Sequence, residues 1–552
     1  MLSYYLERHY NYISDMETLG FAEKNNEPEP VMLAPSLTTA RKRFVINVIA
    51  NATYIGAQAA LTFWMTPYLI GYLGLAAYGV IPLTQNIVAY TSVLTTALNT
   101  AVTRFLTIQL EQRQISAANR TFNTAFFTIL GLFLFLTPVV AAVAWAFPSI
   151  FKIPPGLEKD ASWLFLLMAV LFFVSVVGGI FSVSTFVYSE FLKYNLVNIA
   201  GLLARVCLLI ILFSLFSPRL WYAGAAALTA ALVALLGYLL LWRKLTPELK
   251  VSRTAFDRTQ LKEQLGMGGW VTVNMVGVML LSRVDLIIVN AFYGAASTGG
   301  YASLVQFTLL MEYLVTAAGN VIRPVILIKY AQQDIPGLRK LCNQAVKMLG
   351  FALALPIGLL CGFSKPFLSL WLGPSYQYLS TLLIAILIHQ ALNYSVRPML
   401  YVHTAYNKVR WPGIITLLCG IGSIVLGISF ATWDIWGVIG VAIAVGITWT
   451  VKNGIYMPLY TAHIMKLKWW AFLPSLLPSI FGVLFVGAIS YGVTLVIYPA
   501  KWLILVGLFF LVSMVYAILV WTVGLNHEDR RMIIDMLPFK NQLKKLHLIS
   551  SE

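Results

Sequence analysis

Fourteen apolar runs, each of about 20 residues or more, fill most of this chain, and that repetition limits its fold more than any other feature. They lie near 44–70, 78–102, 121–146, 161–186, 192–216, 221–242, 267–291, 300–324, 344–364, 378–402, 411–431, 435–460, 470–496 and 500–524. About 20 apolar residues suffice for a helix to cross a bilayer. Only 11% of the residues are charged and 59% are hydrophobic, whereas a soluble domain carries roughly 25% charged residues. The expected fold class is therefore an all-α polytopic membrane protein with about 14 transmembrane helices.

The net charge of +17 would suit a nucleic-acid partner, but its placement argues against one. Of the 38 Lys and Arg, 28 fall in the N-terminal tail, the loops on its side and the C-terminal tail. Five lie in the opposite loops: Lys152, Lys159, Arg219, Lys365 and Lys501. This bias predicts that both termini are cytoplasmic and that the number of spans is even. The first 40 residues, with "EKNNEPEP", have no apolar core or cleavage site, so they read as a cytoplasmic tail and not a signal peptide. The four cysteines, 207, 342, 361 and 419, fit no metal or disulfide spacing and read as packing residues. No opposite-side loop exceeds about 15 residues, which leaves no room for the external catalytic domain of an envelope glycosyltransferase or polymerase.

The first twelve runs read as two copies of six. "PYLIGYLGLAAYG" answers to "IIVNAFYGAASTGGYA", and "LNTAVTRFLTIQLEQ" to "AGNVIRPVILIKYAQQ". Asn123, Pro138 and Pro148 answer to Asn343, Pro356 and Pro366, with a ten-residue proline interval in both. The expected organisation is a tail (1–40), an N-lobe (41–242), a cytoplasmic linker (243–266) with an amphipathic helix, a C-lobe (267–465), two further helices (466–524) and a tail (525–552). Parallel repeats of this kind place substrate between the halves, which rock to expose it alternately.

Five cations sit inside the runs: Arg205, Arg283, Arg323, Arg397 and Lys452; Asp285 and Glu312 accompany them. Each would cost roughly 2.5–3.5 kcal/mol if it faced lipid, so most must face inward; Arg323, near a helix end, could snorkel. Polar residues recur every three or four positions: His389, Asn393, Arg397 and Tyr401; Glu312, Thr316, Asn320 and Arg323; Lys452, Tyr456 and Tyr460; Asn47, Asn51, Tyr54 and Gln58. These stripes predict a wet interior lined by Asn51, Gln58, His389, Asn393 and Tyr456, with interhelical hydrogen-bond glue as the other reading. An excess of buried cations suits an anion, and arginine's planar fork matches phosphate. Within "LLSRVDLIIVN", Arg283 and Asp285 point about 200° apart on a helix, so separate partners are expected. Nothing in the chain supports a catalytic, metal or cofactor motif.

The block "NATYIGAQAALTFWMTPYLIGYLGLAAYGVIPLTQNIVAYTSVLTTALNTAVTRFL" resembles the polysaccharide transport family, the Wzx-type flippases of O-antigen and capsule repeat units. That family sits in the larger MOP group with the MATE drug exporters and the lipid II flippases. The "LGLAAYG" turn with Arg104 and the "RVDLIIVNAFYG…GGYA" stretch carry the likeness. The resemblance implies two six-helix lobes plus two C-terminal helices in a bacterial inner membrane. It implies that an undecaprenyl-pyrophosphate-linked oligosaccharide moves to the external leaflet. It also implies a proton or sodium gradient, with Asp285 and Glu312 as coupling candidates. The expected partners are that lipid-linked substrate, membrane lipids and polymerase or ligase machinery, with a monomeric chain and no nucleic acid or cofactor. A lipid II or teichoic-acid precursor flippase remains an alternative on charge. A multidrug exporter of organic cations would need acids in the cavity, and a membrane glycosyltransferase or polymerase would need the missing loop.

Overall fold

The computed structural model describes residues 37–260, 269–434 and 436–530. Most of both expected tails, and residues 261–268 at the end of the linker and the start of the C-lobe, lie outside the described residues. All regular structure described is helical. The first group comprises α1 (Leu37–Leu73), α2 (Leu75–Ala89), α3 (Ser92–Glu111), α4 (Ile115–Ile150), α5 (Glu158–Val187), α6 (Phe191–Leu215) and α7 (Tyr222–Leu245). The second begins with the long α8 (Gly269–Ala331), α9 (Ile335–Gly362) and α10 (Ser364–Trp371). It continues with three short pieces, α11 (Ser380–Leu387), α12 (Gln390–Ser395) and α13 (Arg397–Ala405). The chain ends with α14 (Arg410–Trp433), α15 (Val438–Thr450), a π-turn (Val451–Tyr456), α16 (Met457–Ile464), α17 (Leu477–Val496) and α18 (Trp502–Leu519).

Eleven of these stretches are long and apolar enough to cross a membrane, and one of them, Thr272–Ala331, holds two of the fourteen runs end to end. The two spans meet at Gly294, whose φ of 81° and ψ of −176° are not helical. The first apolar run lies in α1, and α2 with α3 carry the second.

The twofold repeat is written into the backbone. Gly74 (φ 78°) turns the chain between α1 and α2 as Gly294 does within α8, 220 positions later. Arg113 and Gln333, again 220 apart, both sit at φ 55°, and Ser189 and Asn407 both at 54°. A left-handed residue that is not glycine costs about 1–2 kcal/mol, and each of these four ends a helix in the same pair of bonds. Gln114 N–H reaches Gln109 O (2.8 Å) and Arg113 N–H reaches Leu110 O (3.0 Å); Asp334 and Gln333 repeat both bonds to Lys329 and Tyr330. Such paired bonds satisfy carbonyls that the helix end would leave open. We call the side bearing these four turns the terminal face, because α1 begins there, and the side of Gly74 and Gly294 the far face.

Apolar cores form inside each group: two within residues 69–249, one within 326–476, and a large one within 286–516 that also takes Leu83 of α2. The last two spans attach to the second group through α9. Gly350, Ala354, Gly358 and Gly362 form a stripe of small residues at every fourth position of α9. A Cβ on Gly358 would stand 2.6 Å from Val486 of α17. With no hydrophobic drive between helices in lipid, such close packing holds a pair together.

Two expectations of regular helix fail. Linker residues 246–252 form a turn at 247–248 and then irregular chain, a single 3-10 turn follows at Arg253–Ala255, and α-helix resumes only at 258. The cause is a clamp: Asn119 accepts from Lys250 N–H (2.8 Å) and donates to Glu248 O (2.9 Å), and Asn123 accepts from Ser252 N–H (2.7 Å) and donates to Lys250 O (2.8 Å). Two asparagines one turn apart on α4 thus satisfy the backbone groups that a helix would otherwise pair. The run at 378–402 is likewise broken into α11, α12 and α13. Pro398 supplies one reason, since it lacks an N–H and its ring clashes with the carbonyl four residues back.

Candidate substrate path between the lobes

The two halves meet firmly near the far face. Trp371 Nε1 donates to Phe63 O (3.0 Å), and the two rings stack at 5.2 Å. Thr66 Oγ1 donates to Gln306 Oε1 (3.1 Å). Asn290, fully buried, takes the backbone of Lys152 at both ends: Lys152 N–H donates to its Oδ1 (3.0 Å), and its Nδ2 donates to Lys152 O (3.2 Å). Lys152 Nζ also donates to Phe292 O (3.2 Å). The helices touch here: a Cβ at Gly299 would fall 2.0 Å from Leu75 O, and one at Gly79 would fall 2.5 Å from Gly299 N.

The cations lie at different depths below this closure. At 1.5 Å per residue, Arg205 is about 15 Å from the far end of α6 and Arg283 about 15 Å from that of its span. Arg205, half-buried, stands within electrostatic reach of Tyr78 in the first lobe. Arg283 Nη1 donates across the lobe boundary to Asn86 Oδ1 (2.8 Å). Tyr90, at the break between α2 and α3, is within reach of both Arg283 and Asp285. Lys452 and Arg397 lie deeper, on the terminal-face half of their helices, and are within electrostatic reach of each other. Arg397 Nη2 donates to Glu312 Oε1 of α8 (3.1 Å), with the two side chains 32% and 42% exposed. Lys452 Nζ sits 5.0 Å from the Trp449 ring centroid. Its backbone is in the π-turn, a feature that often marks functional positions in helices. Arg323 is exposed near the terminal end of α8, apart from the rest. Arg397 is thus the only one of the five cations in an ion pair among the described residues.

Arg283 and Asp285 do take different partners. Asp285 is buried and its Oδ2 accepts from Tyr301 OH (2.9 Å). It lines a small cavity of about 50 Å³ in the second lobe with Ser282, Thr308, His389 and Gln390. The break in the tenth span divides the polar stripe expected there. Asn393 Nδ2 lies 2.9 Å from His389 Nδ1 and 3.3 Å from Thr450 Oγ1, so these two face the twelfth span. Asn453 Nδ2 donates to Asn393 O (3.0 Å). Arg397 and Tyr401 turn instead to α8, where Tyr401 OH rests against Gly319. On α1, Asn51 is exposed and Gln58 half-buried, while Asn47 bonds Ser189 O and Leu192 N–H at the start of α6. Tyr456 stacks on Tyr460 at 5.2 Å. Asn86, Asn290, Tyr301 and Gln306 were not among the residues that the stripes single out. For each of them, only its partner on another span or loop gives it meaning.

Comparison with known proteins is consistent along the chain. The family described as polysaccharide biosynthesis protein matches residues 44–327. The "Uncharacterized membrane protein EpsK" of Bacillus subtilis (strain 168) is 29% identical over 492 residues, 89% of this chain and 97% of that protein. The "Putative O-antigen transporter" of Shigella flexneri is 24% identical over 324 residues, 57% of this chain and 73% of that protein. Among solved structures, an inward closed form of the lipid II flippase MurJ superposes with a TM-score of 0.59 at 16% identity, covering 86% of this chain and 98% of that one. An inward-facing multidrug resistance MATE transporter of the MOP superfamily gives 0.53 at 14%, covering 83% and 97%. At such identities the structural likeness is one of fold. The family match spans more than half of the sequence, and on that ground the chain belongs to the polysaccharide biosynthesis protein family of polytopic membrane proteins.

Proposed function

We propose that this protein is a flippase that carries undecaprenyl-pyrophosphate-linked oligosaccharide repeat units from the cytoplasmic to the external leaflet of a bacterial inner membrane. In this reading the terminal face is cytoplasmic, residues 41–242 and 267–465 are the two rocking lobes, and the contacts around Asn290 and Gly299 are the closed external gate. The observation that carries it is the set of cations without ion-pair partners among the described residues: Lys452 nearer the terminal face, then Arg283 and Arg205 at similar depth near the centre. A pyrophosphate entering beside Lys452 and Arg397 would meet a further cation at mid-membrane on each side of the lobe boundary. Arginine's bidentate fork suits that group. An organic cation would be repelled along the same path.

Arg397 and Glu312 suggest how a proton could be coupled to transport. Glu312 holds Arg397 in this state, and release of that contact would free the guanidinium for phosphate. Asp285, hydrogen-bonded by Tyr301 in the interior of the second lobe, is the other candidate for coupling to protons or sodium. The family relatives and the flippase fold support transport rather than catalysis.

The test is reconstitution of the purified protein in vesicles with defined polyprenyl-pyrophosphate sugars, scoring leaflet transfer with and without a proton or sodium gradient. Transfer of an oligosaccharide-bearing lipid, and its loss in Arg397→Ala or Lys452→Ala with folded protein retained, is the expected result. Transfer of lipid II alone, or wild-type transfer by both variants, would overturn the assignment.

A further inference from the structure

The two lobes share a backbone plan but not the chemistry of their terminal-face loops. In the first lobe, the loop after α5 carries Glu190 and Lys193, paired at 3.1 Å. The segment after α7 carries Glu248 and Asp257 among its cations and contains no tryptophan. The matching loops of the second lobe, 405–411 ("AYNKVRW") and 463–471 ("HIMKLKWWA"), contain no acid at all. They present Lys408, Arg410, Lys466 and Lys468, all exposed, with Trp411, Trp469 and Trp470 at 58%, 61% and 46% exposure.

One hydrogen bond ties the helix before the second loop to the first loop, and another fixes the second loop's far end. Tyr460 OH, on α16, donates to Lys408 O in the other loop (3.4 Å). Both loops leave their helix through a left-handed residue, Asn407 and Lys466, each at φ 54°. Asn343 Nδ2 of α9 donates to Ala471 O (3.2 Å) and fixes the far end of the second loop. Lys468 Nζ stands 5.2 Å from the Trp470 centroid, and Trp469 meets Trp470 edge-on at 5.3 Å. A cationic surface at the ends of membrane spans, edged by tryptophans, is matched to the headgroup layer: indoles settle at that depth, and lysines there attract anionic lipid.

From this geometry we infer that the paired loops 405–411 and 463–471 form a binding site for the phosphate headgroup of an anionic phospholipid in the terminal-face leaflet. Lys408 and Lys466/Lys468 reach the headgroup from two sides, and the tryptophans lie along the upper acyl chain. The site is separate from the path between the lobes and does not depend on what that path carries. Its occupant is a resident lipid.

The experiment uses the full-length protein in zwitterionic nanodiscs titrated with phosphatidylglycerol bearing dibrominated chains, with quenching of tryptophan fluorescence as the readout. Saturable quenching is expected, and brominated phosphatidylcholine at the same content should give much less. Trp469→Phe with Trp470→Phe should remove most of the saturable signal. Each lysine near a membrane surface is worth roughly fivefold in affinity. Lys408→Gln, Lys466→Gln and Lys468→Gln together should therefore weaken binding on the order of a hundredfold, and Lys468→Gln alone about fivefold. The charge-matched set Arg243→Gln, Lys244→Gln and Lys250→Gln in the first lobe should leave it nearly unchanged. Equal quenching by the two lipids, equal loss in the two variant sets, or displacement of the lipid by inorganic phosphate or pyrophosphate would each overturn the site.

Discussion

The N-lobe and C-lobe turn, pair and end their helices at matching positions, yet they differ where the chain departs from a regular helix. In the first lobe α5 runs unbroken through Glu158–Val187 and α7 through Tyr222–Leu245. Their counterparts in the second lobe are the three pieces α11, α12 and α13, and a span that widens into a π-turn at Val451–Tyr456. Those irregular places hold His389, Asn393, Arg397 and Lys452, and α8 adds Arg283, Asp285 and Glu312. The first lobe contributes Arg205 alone among the buried charges. A duplicated scaffold has thus kept one copy as a regular wall and made the other the bearer of the charged chemistry.

The sharpest test of that asymmetry is to remove one intramembrane charge from each lobe. Arg397→Ala should lower transport by one to two orders of magnitude, the loss expected for a charge-assisted hydrogen bond of about 1.5–3 kcal/mol to a phosphate. Arg205→Ala should cost clearly less in the same vesicle assay. Equal losses would mean that the lobes share the work. A second test uses a point where the lobes are alike. Gly79 and Gly299 are equivalent by the 220-residue offset, and each packs against the opposite lobe's backbone. Leucine at either should open the far face, since overpacking costs about 1–3 kcal/mol; thiol labelling of a cysteine placed at position 66 should rise about tenfold for both. A response from only one glycine would show that the closure is not symmetric.

Asn290→Ala should have a smaller effect of the same kind. It deletes two hydrogen bonds to Lys152 at a cost of about 1–3 kcal/mol, and labelling at position 66 should rise severalfold. The smallest effect concerns acid. Lys329, hydrogen-bonded at 2.6 Å, and the Gly337 N–H together hold the Asp334 carboxyl below the ordinary range. A group with a depressed folded-state pKa contributes stability above its unfolded value, near 3.8, and loses it as pH falls through the folded value. Asp334→Asn should therefore lower the melting temperature slightly at neutral pH and leave it unchanged at the acid end. The equivalent position in the first lobe is Gln114, where Gln114→Asn should show no such pH dependence.

How much of this was legible in the sequence follows from the range of each interaction. The spans, the repeat and the turns at Gly74 and Gly294 follow from local patterns of apolar residues, proline and glycine. The separate fates of Arg283 and Asp285 follow from helical geometry alone. Their partners do not: Asn86 lies 197 residues from Arg283, and no periodicity links them. Pro398 signals one break in the tenth span, but nothing in "TWTVKNGIY" announces a π-turn. The linker misled for a similar reason, because its backbone is claimed by two asparagines more than 120 residues away.

That clamp has a mechanical consequence. The segment joining the two halves is fastened to the first through Ser252, and Asp257 N–H adds a bond to Thr124 Oγ1 at 2.9 Å. Gln260 Oε1 also accepts from Thr121 Oγ1 (3.2 Å), so the described residues of this segment are fastened to the first half as far as residue 260. On the proposed rocking of the lobes, the clamped residues 248–260 therefore supply no slack to that motion. Residues inserted before Ser252 would lengthen the chain without lengthening such a stroke.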